Sequence, residues 1–96
     1  MEAALKARIE LIPKLEHCIE TTARQEFSKS KDEYLQGGVE NKELEARIEL
    51  LRMFLYTVDF KELRRESEKL LIAGKTVRFV LYLGEGKLRH EMRVEN

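Results

Sequence analysis

Few side chains in this sequence have types and spacings that could perform chemistry. His17-Cys18 is the only neighbouring pair of soft metal ligands, and Cys18 is the only cysteine. A structural zinc site takes about four ligands, and only His90 and scattered carboxylates remain to supply them. We therefore expect no metal site, and we expect Cys18 to behave as a small buried hydrophobe.

No catalytic arrangement accompanies these residues. Nothing in the sequence supplies an orienting partner or an oxyanion donor for a Cys18 nucleophile. The segment G-E-G-K at 84–87 shares only its Gly-Lys with a phosphate-binding loop, in which a hydroxyl residue and a helix must follow. Here Leu88 and a strand follow, so we predict a hairpin turn. We expect a protein that is not an enzyme and holds no cofactor.

One group of side chains remains a candidate for ligand binding. Basic residues surround a tyrosine on one face of a predicted hairpin near the C-terminus. Arginine can clamp phosphate in bidentate fashion, and an exposed aromatic ring can stack on a base. The candidate contacts for an anion or a nucleic acid are Lys75, Arg78, Tyr82, Lys87, Arg89 and Arg93.

Composition sets the frame in which these residues act. The 96 residues are enough for one domain, and 18 Lys+Arg balance 18 Asp+Glu. The charge is uneven, because residues 1–60 hold 9 basic and 12 acidic residues whereas residues 61–96 hold 9 and 6. Abundant Glu, Lys and Arg with few amides is typical of heat-adapted proteins. A single cysteine and the lack of a long apolar run predict a cytoplasmic protein with no membrane contact.

Apolar spacing predicts a first long helix over residues 2–36. Its apolar residues recur every three or four positions, as on one face of a helix. Pro13 interrupts the pattern, and we expect it to kink this helix or to split it. Gly37-Gly38 supplies the left-handed conformation that ends many helices.

A second helix is predicted over residues 41–57, with Asn41 as its N-cap. Asp59, followed three residues later by Glu62, resembles a capping box. We therefore expect the helix to bend or break near Asp59, and a further helix to cover residues 59–73.

The last segment, residues 76–94, predicts a two-stranded β-hairpin that turns at Glu85-Gly86. This register places Val77 opposite Val94 and Leu83 opposite Leu88, and Phe79, Leu81 and Met92 lie on the same apolar face. The other face, which we call the outer face, carries Arg78, Val80, Tyr82, Arg89, Glu91 and Arg93. We predict no other strand, so the fold class is α+β and mostly α, with a long antiparallel helical hairpin followed by this β-hairpin. An isolated two-stranded ribbon is marginal in water, and this one requires cover from helices, a second copy or a ligand.

Two functional hypotheses follow from these elements. The first is a small interaction or scaffold protein that forms a homodimer, because the apolar seam of the second helix and the outer face of the hairpin both lack a partner. The candidate interface residues are Leu44, Ile48, Leu51, Leu55, Val58, Val80 and Tyr82.

The alternative is a nucleic-acid-binding module of winged-helix type. Its elements would be a helix, a break near Asp59, a basic helix over residues 61–69 and a hairpin wing. Glutamates dilute the basic helix, and no active site supports a third hypothesis of an enzyme.

Overall fold

In the computed structural model, which describes residues 8–37 and 41–95, three helices pack on one face of a three-stranded antiparallel sheet. The predicted α+β class with mostly helical content is confirmed. In chain order the elements are β1 (Arg8–Leu11), α1 (Ile19–Gly37), α2 (Lys42–Thr57), α3 (Phe60–Ile72), β2 (Thr76–Gly84) and β3 (Lys87–Glu95). The strand order is β1-β2-β3, so β2 is central.

The predicted pairing of β2 with β3 is confirmed at every position. Val77 lies opposite Val94 and Leu83 opposite Leu88, and the two-residue turn is Glu85-Gly86. Both turn residues have positive φ, 56° at Glu85 and 77° at Gly86, as a type I′ hairpin turn requires. The hairpin extends one residue beyond the predicted end, to Glu95.

The prediction of only two strands is wrong, and so is that of one helix over residues 2–36. Residues 8–11 instead form β1, which pairs with β2 so that Ile9 lies opposite Leu81 and Leu11 opposite Phe79. In this strand two buried residues alternate with two exposed charges, the period of a half-buried strand. Pro13 lies in the loop that follows, and α1 begins only at Ile19. Residues 2–7 of the predicted helix, like Gly38, lie outside the described residues.

Capping side chains precede α2 and α3, as predicted, and the bounds of both helices lie within one residue of the predicted bounds. Asn41 Oδ1 accepts a hydrogen bond from the Leu44 N–H at 3.0 Å. Asp59 Oδ1 accepts from the backbone N–H groups of Lys61 and Glu62, at 3.1 and 3.3 Å. Each side chain satisfies donors that the first turn of a helix leaves without partners, so the chain breaks at Val58-Asp59 and begins α3.

A glycine-dependent turn ends α3 and aims the chain into β2. The Lys75 N–H donates to the Leu70 carbonyl and the Gly74 N–H to the Leu71 carbonyl, both at 3.0 Å. Gly74 has a φ of 85°. This pair of bonds is a Schellman motif, which needs the left-handed conformation at its penultimate residue.

The core lies between the helices and the underside of the sheet, meaning the sheet face that contacts them. Phe54 is fully buried at its centre and makes edge contacts with the rings of Phe60 and His90, at centroid distances of 5.3 and 5.8 Å. It therefore joins α2, α3 and β3. On the underside, the fully buried side chains of the sheet are Ile9, Leu11, Val77, Phe79 and Leu81.

Candidate interaction surfaces

The outer face of the sheet is charged around the central pair Val80 and Tyr82. Its charges alternate in sign along β1 and along residues 89–95 of β3. β1 contributes two residues that were not predicted on this face. The members include Arg8, Glu10, Arg78, Val80, Tyr82, Arg89, Glu91, Arg93 and Glu95.

Arg78 is held between the two flanking strands. Its guanidinium nitrogens lie 3.5 Å from a carboxylate oxygen of Glu10 on β1 and 3.5 Å from one of Glu95 on β3. Arg78 does lie opposite Arg93, as predicted, an arrangement that is unfavourable without a nearby anion. The protein supplies that anion itself through these glutamates.

Glu91 is the second organising carboxylate of the outer face. The Tyr82 hydroxyl donates to Glu91 Oε2 at 3.0 Å, and an Arg93 nitrogen lies 3.2 Å from Oε1. These contacts, the tyrosine first, lower the pKa of Glu91 below its usual value, and the same hydrogen bond raises the pKa of Tyr82. These contacts therefore favour the ionised form of Glu91 and orient its carboxylate.

The residues predicted to bind an anion are brought together only in part. Arg78 and Tyr82 lie on β2 and Arg89 and Arg93 on β3, all on the outer face, whereas Lys75 precedes β2 and Lys87 begins β3. Each of the nine arginines in the chain has a carboxylate oxygen at 3.6 Å or less. Their positive charge is already neutralised within one chain, which weakens the case for a polyanion ligand.

The predicted dimer-interface residues divide into a buried and a surface set. Leu51 is completely buried in the core of the single chain, Val80 is 1% exposed, and Leu44 is 8% exposed. None of these three needs a second copy for cover. The other four are partly exposed: Ile48, Leu55, Val58 and Tyr82.

Two of these partly exposed residues, Ile48 and Leu55, lie in a groove between α1 and α2. Phe27, Ile48 and Leu55 line it, and two more apolar side chains at its rim are largely exposed, Leu35 at 76% and Tyr56 at 80%. The Lys31 ammonium lies 5.1 Å from the centre of the Phe27 ring. The groove is thus apolar at its floor, with basic groups over the aromatic rings.

The structure identifies which edge of the predicted hairpin is open, and it is that of β3. Within residues 8–37 and 41–95, β3 pairs on one side with β2 and with no strand on the other. Its underside is only half covered by the helices: Leu88 and Met92 are partly buried, His90 is exposed, and Val94 is 42% exposed. The alternation of charged and less polar residues along β3 was visible in the sequence. What was missing was the position of β1, which places β2 in the centre and leaves β3 at an edge.

Cys18 is not the buried hydrophobe we predicted, because it caps the start of α1. Its carbonyl accepts from the Thr22 N–H at 2.9 Å, and its sulfur lies 3.4 Å from the Thr21 hydroxyl oxygen. The Thr21 hydroxyl is the largest of the influences that lower the pKa of this half-exposed thiol. Among the described residues, no three of His, Cys, Asp and Glu are grouped so that they could hold a metal ion.

The chain belongs to an uncharacterised protein family, whose model matches residues 1–82. The matched range includes β1, the three helices and β2 as far as Tyr82. No curated protein and no solved structure matches the chain. Of the helices described, none has the length and apolar character needed to cross a lipid bilayer.

Proposed function

We propose that this protein is a small non-enzymatic interaction module that acts as a homodimer, and that two copies join through the edge of β3. The observation that carries this proposal is a nine-residue edge strand with a half-covered apolar underside. Burial of that underside and completion of the backbone hydrogen bonds would drive the association.

β3 lacks most of the devices that protect edge strands from pairing. Natural edges are blunted by short strands, prolines, bulges or charged side chains, especially lysine. Of these devices β3 has the charges, which alternate in sign from Arg89 to Glu95. The other edge strand, β1, is only four residues long, whereas β3 pairs with β2 along all nine of its residues without a bulge. It contains no proline, and its single lysine, Lys87, stands at its first position. This edge is therefore suited to accept another strand.

The hairpin geometry indicates which backbone groups of β3 face outward. Gly84 and Lys87 flank a two-residue turn, where the flanking pair exchanges hydrogen bonds. Hydrogen-bonded and non-hydrogen-bonded pairs then alternate along the ladder. The residues whose N–H and C=O groups point away from β2 are accordingly Leu88, His90, Met92 and Val94.

Light scattering with an edge-blocking variant tests this proposal. We expect the wild-type chain to show about twice its 11.3 kDa mass. Val94→Pro removes an outward N–H donor from a partly exposed position and should shift the protein towards the monomer. Val94→Thr is the matched control, because it keeps both the N–H and the β-branched shape. A wild-type monomer at high micromolar concentration would contradict the proposal, and so would a Val94→Pro dimer of unchanged affinity with native circular dichroism.

The winged-helix alternative keeps one supporting observation, which is the order of helix, break, helix and hairpin from α2 to β3. Two of the basic residues on α3 are neutralised locally: Arg64 lies 3.0 Å from Glu68 and Arg65 lies 3.3 Å from Glu62. A recognition helix uses such side chains for phosphates and bases. The homodimer therefore has the stronger support.

A further inference from the structure

The outer-face charges of β3 alternate along the strand from Arg89 to Glu95. Arg89, Glu91, Arg93 and Glu95 occupy successive positions on this face, so their signs run plus, minus, plus, minus. When this series of four charges is read in the opposite direction, every position carries the opposite sign. A second antiparallel copy of the strand can therefore present the opposite charge at every one of these positions.

We infer that two copies pair antiparallel through β3 about a two-fold axis at Met92; this inference rests on the homodimer proposed above. In that register Arg89 faces Glu95 of the second copy and Glu91 faces Arg93. Symmetry repeats both pairs, so four unlike pairs form across the interface. Residues 89–95 of each copy take part.

Neighbouring positions for the axis are disfavoured by charge. An axis at Glu91 opposes that glutamate to itself and Arg89 to Arg93. Axes at Arg89 or Arg93 oppose an arginine to itself. An axis at His90 gains an Arg89–Glu91 pair but opposes Lys87 to Arg93. Like charges directly opposite one another destabilise a sheet, so each of these registers carries at least one repulsion that the Met92 axis avoids. An axis at Val94 opposes no like charges, but it forms only the Arg93–Glu95 pair and its symmetry mate, two unlike pairs instead of four.

The backbone agrees with the same register. Met92 has outward-facing N–H and C=O groups, so the two Met92 residues would exchange hydrogen bonds across the axis, with Cα atoms ~5.5 Å apart. His90 and Val94 of opposite copies would form the next hydrogen-bonded pairs. The charged pairs fall on the non-hydrogen-bonded positions, where side chains approach more closely.

The underside gains cover from this arrangement. Met92 would contact Met92 of the second copy, and Val94, which is 42% exposed, would lie beside His90 of the second copy. Methionine is flexible and adapts to a self-contact of this kind. The product is a six-stranded sheet with all helices on one face, because a two-fold axis normal to a sheet keeps its faces distinct.

Single chains already hold the interface charges in place. Glu91 is fixed by the Tyr82 hydroxyl at 3.0 Å, and Arg93 lies 3.2 Å from the same carboxylate. Less side-chain entropy is then lost when the second copy arrives. Glu95 is likewise positioned, 3.5 Å from Arg78.

Charge exchange tests the pairing of Glu91 with Arg93. Glu91→Arg alone and Arg93→Glu alone each oppose like charges across the axis, and each should weaken the homodimer roughly tenfold. A mixture of the two variants restores two unlike pairs and should form a heterodimer tighter than either variant's homodimer. The double variant Glu91→Arg/Arg93→Glu should recover wild-type affinity. Failure of the mixture to associate more tightly than its components would overturn the register.

A cysteine scan can locate the two-fold axis. The substitution at the expected axis, Met92→Cys, changes an underside residue and leaves the outer-face charges unaltered. In a Cys18→Ser background, Met92→Cys should cross-link to its own copy under mild oxidation, because only the axis residue faces itself at disulfide distance. His90→Cys, Glu91→Cys and Arg93→Cys are the matched controls and should cross-link more slowly. Preferred linkage at a control position, in a protein that scatters light as a dimer, would refute the register and leave the homodimer standing. A monomer would refute both.

Discussion

Cys18 is a residue whose chemistry the fold alters through local hydrogen bonds. The thiol contacts the Thr21 hydroxyl and the first backbone N–H groups of α1, which lower its pKa. Helix N-termini favour thiolates in this way. We expect alkylation of Cys18 by iodoacetamide to follow a midpoint below that of an unfolded cysteine, as measured from its rate against pH.

The Thr21 hydroxyl should carry most of this effect. Thr21→Val removes the hydroxyl, keeps the shape of the side chain, and should move the alkylation midpoint upward. Thr21→Ser is the control and should preserve the low midpoint. The same midpoint in all three proteins would show that the hydroxyl does not stabilise the thiolate.

Among the helices, α3 depends visibly on one capping side chain. Asp59 satisfies the N–H groups of Lys61 and Glu62, and the chain has just broken away from α2. Asp59→Ala should therefore lower the free energy of unfolding by about 1 kcal/mol, as measured by urea denaturation. Asp59→Ser retains a capping oxygen and should lose much less. An Ala variant as stable as the wild type would mean that water replaces the cap at no cost.

The sequence predicted elements whose signals are local, and it failed where pairing is distant. α2, α3 and the hairpin are marked by caps, glycines and a turn that act within a few residues. β1 has only four residues, and Ile9 and Ile12 also fit a helical spacing. Its strand conformation comes from pairing with β2, which no local pattern reveals. The position of Glu10 beside Arg78 was hidden for the same reason.

At the scale of the whole molecule, Phe54 packs where the helices meet the sheet. It is fully buried and contacts Phe60 on α3 and His90 on β3. Phe54→Ala should cost about 3–5 kcal/mol of unfolding free energy in urea titrations, because it leaves a cavity where three elements meet. Tyr56→Ala, on the same helix at a site 80% exposed, is the control and should change stability by about 0.5 kcal/mol or less. Equal losses in the two variants would contradict this view of the core.

The open edge of β3 also depends on how the whole sheet is arranged. The charge series of β3 is local and was available from the sequence. Its meaning required knowing that β1 takes the far side of β2, which leaves β3 unpaired. The seam residues Leu44 and Leu51, which looked available for a partner helix, are instead buried within the single chain.

The distance along the chain between β1 and β2 has a consequence for the order of folding. Leu11 and Phe79 are partners although 68 residues separate them (79 − 11). Closing so long a segment is entropically costly, whereas the helices and the hairpin form from neighbouring residues. We therefore expect β1 to dock late, and until it does β2 presents a nine-residue unpaired edge in place of the four-residue edge of β1. The rate of that docking would set how long a newly made chain is exposed to aggregation through two long edges rather than one.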